Sequence, residues 1–219
     1  MPGRALIDRR PWLLASLVLA IAYFVLRNAA FPGVFLMIIE VASLGFLAAY
    51  ARLRHSGRDA TMLSIAMLLG GIGVVVDELE IFIGTVILIG GIALLIGIFF
   101  RHRREVLSTS QRLTAVTLLL LPPLIAWFMA LGHGGRATAA TYVLAAGGMA
   151  SAAWASAFPR YRVGVGAVLY LSSGLLGIAA MGRLAESVPG SAMVWPIFYL
   201  GHFLMCTGII QTLRSEAGS

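Results

Sequence analysis

Eight apolar stretches follow one another along the chain, at about residues 12–30, 32–51, 60–78, 80–100, 112–132, 137–158, 162–182 and 191–213. Each is close to the roughly 20 residues a helix needs to cross a hydrocarbon layer about 30 Å thick. Only 11% of the residues are charged, against about 25% in an ordinary soluble domain. Polar groups therefore cannot cover a globular surface, and the solvent must be largely lipid. Lipid offers no hydrogen bonds, so only helices and closed barrels can span it. Alternating short strands of barrel type are absent, so the expected fold is all-α. It is a polytopic bundle of eight transmembrane helices forming one integral membrane domain over residues 1–219. The first stretch follows Arg9, Arg10 and Pro11. It lacks a small-x-small cleavage site and seven further stretches follow, so it reads as a retained helix.

The charge pattern orients the bundle. The sequence holds no lysine, and its 16 basic residues are all arginine. Thirteen of them fall on one side: Arg4, Arg9, Arg10, Arg52, Arg54, Arg58, Arg101, Arg103, Arg104, Arg112, Arg160, Arg162 and Arg214. Arg27, Arg136 and Arg183 fall on the other. The positive-inside rule then predicts both termini in the cytoplasm, and a miscounted span would scramble this alternation. The net charge of +7 is a topology signal, and no nucleic-acid partner is expected. The expected location is the bacterial inner (cytoplasmic) membrane.

Against this apolar background, Asp77, Glu78 and Glu80 crowd into "GVVVDELEIFIG", Gly73 to Gly84. On position alone, this is a short external turn between the third and fourth helices. Ionisable groups at mid-membrane cost roughly 2.5–3.5 kcal/mol even on the lenient insertion scale, so each is a functional candidate. Two stand out. Glu40 lies near the centre of the second span, in "FLMIIEVASLGF", with Ser43 one turn along. His202 lies near the centre of the last span, in "PIFYLGHFLMCTG", where helical spacing puts Trp195, Tyr199, His202 and Cys206 on one stripe. A neutral imidazole bonded to a neighbour and a protonated or paired Glu40 are the structural alternatives. Gly166, Ser173 and Gly177 flank Tyr170 on one face of the seventh span. Small residues there read first as close helix packing. Pro122-Pro123 and Pro196 are expected to kink or locally open their helices.

Several functions are set aside. A single cysteine, Cys206, gives no intrachain disulfide and no cysteine-cluster metal site. Without lysine there is no retinal Schiff base. Of four histidines only His202 lies deep in a span, so one chain lacks a pair of axial haem ligands. Neither a glycine-rich phosphate loop with its lysine nor a His-x-x-x-His pair occurs. No inverted repeat of interrupted helices is evident, which weakens a transporter reading. No metal and no cofactor is expected.

Read in order, the segments resemble the YhhN-like lysoplasmalogenase family, which is built on eight transmembrane helices. The resemblance is clearest over "GAVLYLSSGLLGIAAMGRLAESVPGSAMVWPIFYLGHFLM", Gly166 to Met205, which follows that family's last two helices. In the third span, "MLLGGIGVVVDEL" aligns Asp77 with a family aspartate. The resemblance implies cleavage of the vinyl ether bond of a lysoplasmalogen, giving a fatty aldehyde and a glycerophospho head group. Such chemistry suits carboxylates. An acid protonates the vinyl carbon, and a second carboxylate activates water against the resulting oxocarbenium ion. The expected partner is a membrane lipid, in particular a lysophospholipid.

The chain departs from the family at four polar positions. The second family aspartate falls on Gly174, beside Ser173. The family lysine of the second helix has no counterpart, and Glu40 lies in its neighbourhood. The glutamine of the last helix falls on His202, and a histidine of the fourth helix falls on a glycine near Gly91. Two accounts fit. In one, the acid–base pair is rebuilt from Asp77 with Glu78, Glu80 or Glu40, and His202 serves as an alternative proton carrier. Asp77, His202 and Glu40 are then the candidate catalytic residues, and Tyr199, Ser173, Tyr170 and Glu80 the candidate substrate-binding ones. In the other, hydrolysis is lost and the scaffold binds lipid or serves as an accessory subunit, with a membrane-protein partner or a second copy of itself. Both predict a polar pocket walled by the second, third, seventh and eighth helices.

Overall fold

The computed structural model describes residues 10–27, 29, 31–130, 133–182 and 191–217. Among these residues eight α-helices occur in the expected order: α1 Arg10–Leu26, α2 Gly33–Arg54, α3 Arg58–Leu79, α4 Ile81–Arg101, α5 Thr109–Met129, α6 His133–Ala155, α7 Val165–Met181 and α8 Ser191–Ala217. A π-helical turn, Arg160–Gly164, leads into α7. Among the described residues there is no strand, only a single antiparallel bridge between Arg103 and Ser156. The chain is an all-α, multi-pass, integral membrane protein.

Among the described residues, six helices are long and apolar enough to cross a membrane: α2, α3, α4, α5, Arg160–Met181 and Ala192–Ala217. Helix α1 is apolar but only 17 residues long, four residues short of its expected end. Pro32 follows Phe31 closely, and the residue before a proline is pushed out of helical geometry. Helix α6, rich in Ala and Gly, starts at His133 and stops before Pro159 for the same reason. Outward faces are strongly apolar, as in Leu14, Val18, Ile21 and Val25 of α1 and Leu113, Leu120, Leu124 and Phe128 of α5. Arg4, Arg9 and Arg183 lie outside the described residues.

The chain divides into two compact units, Met1–Leu94 with Leu213–Ser219, and Leu95–Thr212. In the first unit α2 packs on both α1 and α3 around fully buried Leu44, Leu47, Ala51, Leu63 and Met67. Hydroxyls bond across the helices. Ser16 Oγ of α1 donates to the Ser43 carbonyl at 2.6 Å, and Ser64 Oγ of α3 donates to the Ala48 carbonyl at 3.0 Å. Helices α3 and α4 form a hairpin so tight that a Cβ on Gly84 would lie 2.2 Å from the Asp77 amide nitrogen. Only glycine permits that approach.

In the second unit α5 and α6 form the closest pair. Ser108 opens α5 with a reciprocal cap: its side chain accepts from the Gln111 backbone amide, and the Gln111 side-chain oxygen accepts from the Ser108 backbone amide. Helices α7 and α8 cross at Gly166 and Gly201, where a Cβ on either would lie 2.8 Å from the other's carbonyl oxygen. The small residues expected to serve packing do so here.

Candidate acid–base site

The acidic cluster is not a loop. Helix α3 runs on through Leu79, so Asp77 and Glu78 occupy its last turn, and the connection to α4 is Glu80 alone. This corrects the expected external turn. Glu80 adopts extended backbone while its amide still bonds the Val76 carbonyl at 2.7 Å. Its carboxylate Oε2 then accepts the Ile83 amide at 2.8 Å, which makes Glu80 the cap of α4. An acidic group suits the positive end of a helix. Glu80 therefore has a structural role in place, and its side chain is committed to it.

Consecutive helical residues point about 100° apart, and Asp77 and Glu78 use that difference. Asp77 is half-buried and accepts a hydrogen bond at 3.2 Å from the buried Thr85 hydroxyl of α4. Glu78 is exposed and faces α1, where the Tyr23 hydroxyl donates to its Oε1 at 3.4 Å. The same tyrosine engages the carboxyl of Glu40 on α2. Glu40 is only 2% exposed, and its Oε2 is buried with no hydrogen-bond partner. Arg27, just past the end of α1 with its amide on the Tyr23 carbonyl at 2.9 Å, acts electrostatically on Tyr23 and Glu40.

The first unit thus brings Glu40 and Glu78 together at one tyrosine. Asp77 stands one residue away on the neighbouring face of α3. Tyr23, Arg27 and Thr85 were not singled out from the sequence. The readable signal was the Tyr23–Arg27 pair, four residues apart at the end of the first span, with Arg27 on the arginine-poor side.

His202, Tyr170, Ser173 and Tyr199 all belong to the second unit. His202 is 1% exposed, and its Nδ1 lies 3.0 Å from the Phe198 carbonyl, one turn back on its own helix. Its ring packs against Phe198 and Tyr170, with centroids 4.4 and 5.0 Å away. Ser173 donates to the Tyr170 carbonyl at 2.6 Å. Tyr199 lies between Trp195 and Phe203, each with its centroid 6.2 Å away. These residues form a buried aromatic layer in which His202 Nδ1 and the Ser173 hydroxyl bond within their own helices. Such bonds satisfy a polar group in lipid without recruiting a partner.

Gly174, where the expected resemblance would put a second aspartate, is not an empty place. A Cβ there would lie 2.6 Å from Cε1 of Tyr142. Among the described residues no group of three or more His, Cys, Asp or Glu side chains is arranged to hold a metal ion. No protein-family model, no curated protein and no solved structure matches the chain.

Proposed function

We propose that this chain is a divergent YhhN-like membrane hydrolase of the lysoplasmalogenase type, resident in a bacterial inner membrane with both termini in the cytoplasm. Its acid–base pair is Glu40 and Glu78 rather than a pair containing His202. The observation that supports this reading is the convergence of these two carboxyl groups on the Tyr23 hydroxyl.

The inventory of protons, with burial, assigns the roles. A tyrosine hydroxyl has one proton to give and lone pairs to receive. It can direct that proton to either carboxyl, and burial decides between them: Glu40, 2% exposed with an unpartnered Oε2, keeps its own proton because an unpaired charge there is costly. Glu40 is then the acid and Glu78, which reaches water, the base. In the reaction, the Glu40 proton passes to the vinyl carbon remote from the ether oxygen, giving an oxocarbenium ion. Glu78 takes a proton from water as its oxygen adds to that ion. The hemiacetal collapses with C–O cleavage to a fatty aldehyde and the glycerophospho alcohol, consuming one water. The proton on Glu78 returns to Glu40 through Tyr23, and Asp77, fixed by Thr85, shapes the field around Glu78.

A second reading has its own support. His202 Nδ1 is taken up by a carbonyl of its own helix, and Tyr142 fills the space beside Gly174. Both fit a scaffold that binds lipid or a membrane-protein partner without turnover. Aldehyde release from a panel of single-chain lipids, lysoplasmalogen included, separates the two. Purified protein in detergent is expected to release aldehyde, and Glu40→Gln and Glu78→Gln to reduce the rate about 10²–10⁴-fold, the range for loss of a general acid or base. His202→Ala is expected to retain turnover. No aldehyde from the wild type, with lipid or protein co-purifying equally with every variant, would establish the binding scaffold instead.

A further inference from the structure

At the carboxyl end of α2, well beyond Glu40, a cleft of about 390 Å³ is lined by Arg52, Leu53, Arg54, His55, Ser56, Arg214 and Ala217. All seven belong to the first unit. We propose that this cleft binds a phosphate group, as an anionic lipid head group or a soluble phosphate ester, at a site separate from the acid–base pair. Its size falls within the range of about 300–1,000 Å³ typical of small-ligand sites.

The charge balance favours an anion. Arg52 and Arg54 lie in the last turn of α2 and Arg214 in the last turn of α8. A helix carboxyl end carries about half a negative charge, so two such ends offset about one of the three guanidinium charges. No carboxylate is among the described residues lining the cleft, and the exposed guanidinium groups of Arg52 and Arg214 stand at its wall. The donors suit phosphate in particular. Guanidinium groups present paired N–H bonds that match phosphate oxygens, and the His55 ring and Ser56 hydroxyl add shorter donors at the rim. Arg52, Ser56 and Arg214 are exposed, so an incoming anion reaches them without displacing packed side chains.

Helix-end arginines also serve topology, and the variants must tell the two roles apart. Arg58 provides the control, being an exposed arginine on the same side that does not line the cleft. The thermal stability of purified full-length protein is measured in detergent with inorganic phosphate at constant ionic strength. It is measured again in nanodiscs of phosphatidylcholine alone and with added phosphatidylglycerol. Stabilisation by inorganic phosphate identifies a soluble phosphate ligand, whereas stabilisation only by phosphatidylglycerol identifies a lipid head group. In either case Arg52→Gln and Arg214→Gln are each expected to weaken binding about tenfold, as for one lost charge-assisted hydrogen bond, while Arg58→Gln leaves it unchanged. The proposal is overturned if neither probe stabilises the wild type, or if Arg58→Gln weakens binding as much as the cleft variants do.

Discussion

Tyr142 of α6 occupies the space that any side chain at Gly174 of α7 would need, its Cε1 lying 2.6 Å from where the Cβ would stand. Placing an aspartate at Gly174 is therefore a packing problem before it is a catalytic one. Gly174→Asp alone is expected to destabilise the protein by about 1–3 kcal/mol, the usual cost of overfilling a packed interior. Pairing it with Tyr142→Ala is expected to recover part of that loss. Unfolding midpoints in detergent for the two single variants and the double variant measure the coupling directly.

On the proposed mechanism the Tyr23 hydroxyl relays a proton from Glu78 to Glu40 and makes no bond to the substrate. Tyr23→Phe keeps the ring and removes only the relay, so the fold is expected to survive. Turnover of a lysoplasmalogen is expected to fall at least about tenfold, as the return of the proton to Glu40 becomes limiting. A solvent isotope effect that rises in this variant would locate the defect in proton transfer. An unchanged rate and isotope effect would remove Tyr23 from the mechanism.

Glu80 is expected to matter for stability and not for turnover. Glu80→Ala removes the acceptor for the Ile83 amide and should cost about 0.5–2 kcal/mol, as other lost helix caps do. Glu80→Asp, which preserves a carboxylate, is expected to recover part of it. A large drop in turnover at unchanged stability would instead return Glu80 to substrate binding.

The hairpin of α3 and α4 depends on backbone contact. At Gly84 an added Cβ meets Asp77 main-chain atoms, which cannot rotate away as a side chain can. Gly84→Ala is expected to cost about 3 kcal/mol, the upper part of the overpacking range. Gly33→Ala, with nothing within 4 Å of its added Cβ, is the matched control and should change little.

The eight helices were legible because hydropathy and arginine spacing report the same physics, the exclusion of charge from lipid. The end of α3 was not. Three carboxylates in four positions read as a turn, yet a helix end tolerates acids when each has somewhere to point. Here Thr85, Tyr23 and the Ile83 amide provide those places. Glu40 was visible as a lone charge among apolar residues. Its connection to Tyr23 was not, because it depends on how α1 and α2 are rotated, and helices apolar all round carry little pattern to encode rotation. His202 drew attention for the same reason as Glu40. Its Nδ1 is served by the carbonyl of Phe198, an arrangement that leaves no trace in composition.

The joint between α3 and α4 is one residue long. Such a joint has no slack, so its length is under stricter control than its sequence. One inserted residue would shift the α4 face by about 100°, separating Thr85 from Asp77 and Gly84 from its berth while changing no existing side chain. Chains sharing this architecture should therefore vary in which residue stands at position 80 far more freely than in how many stand there.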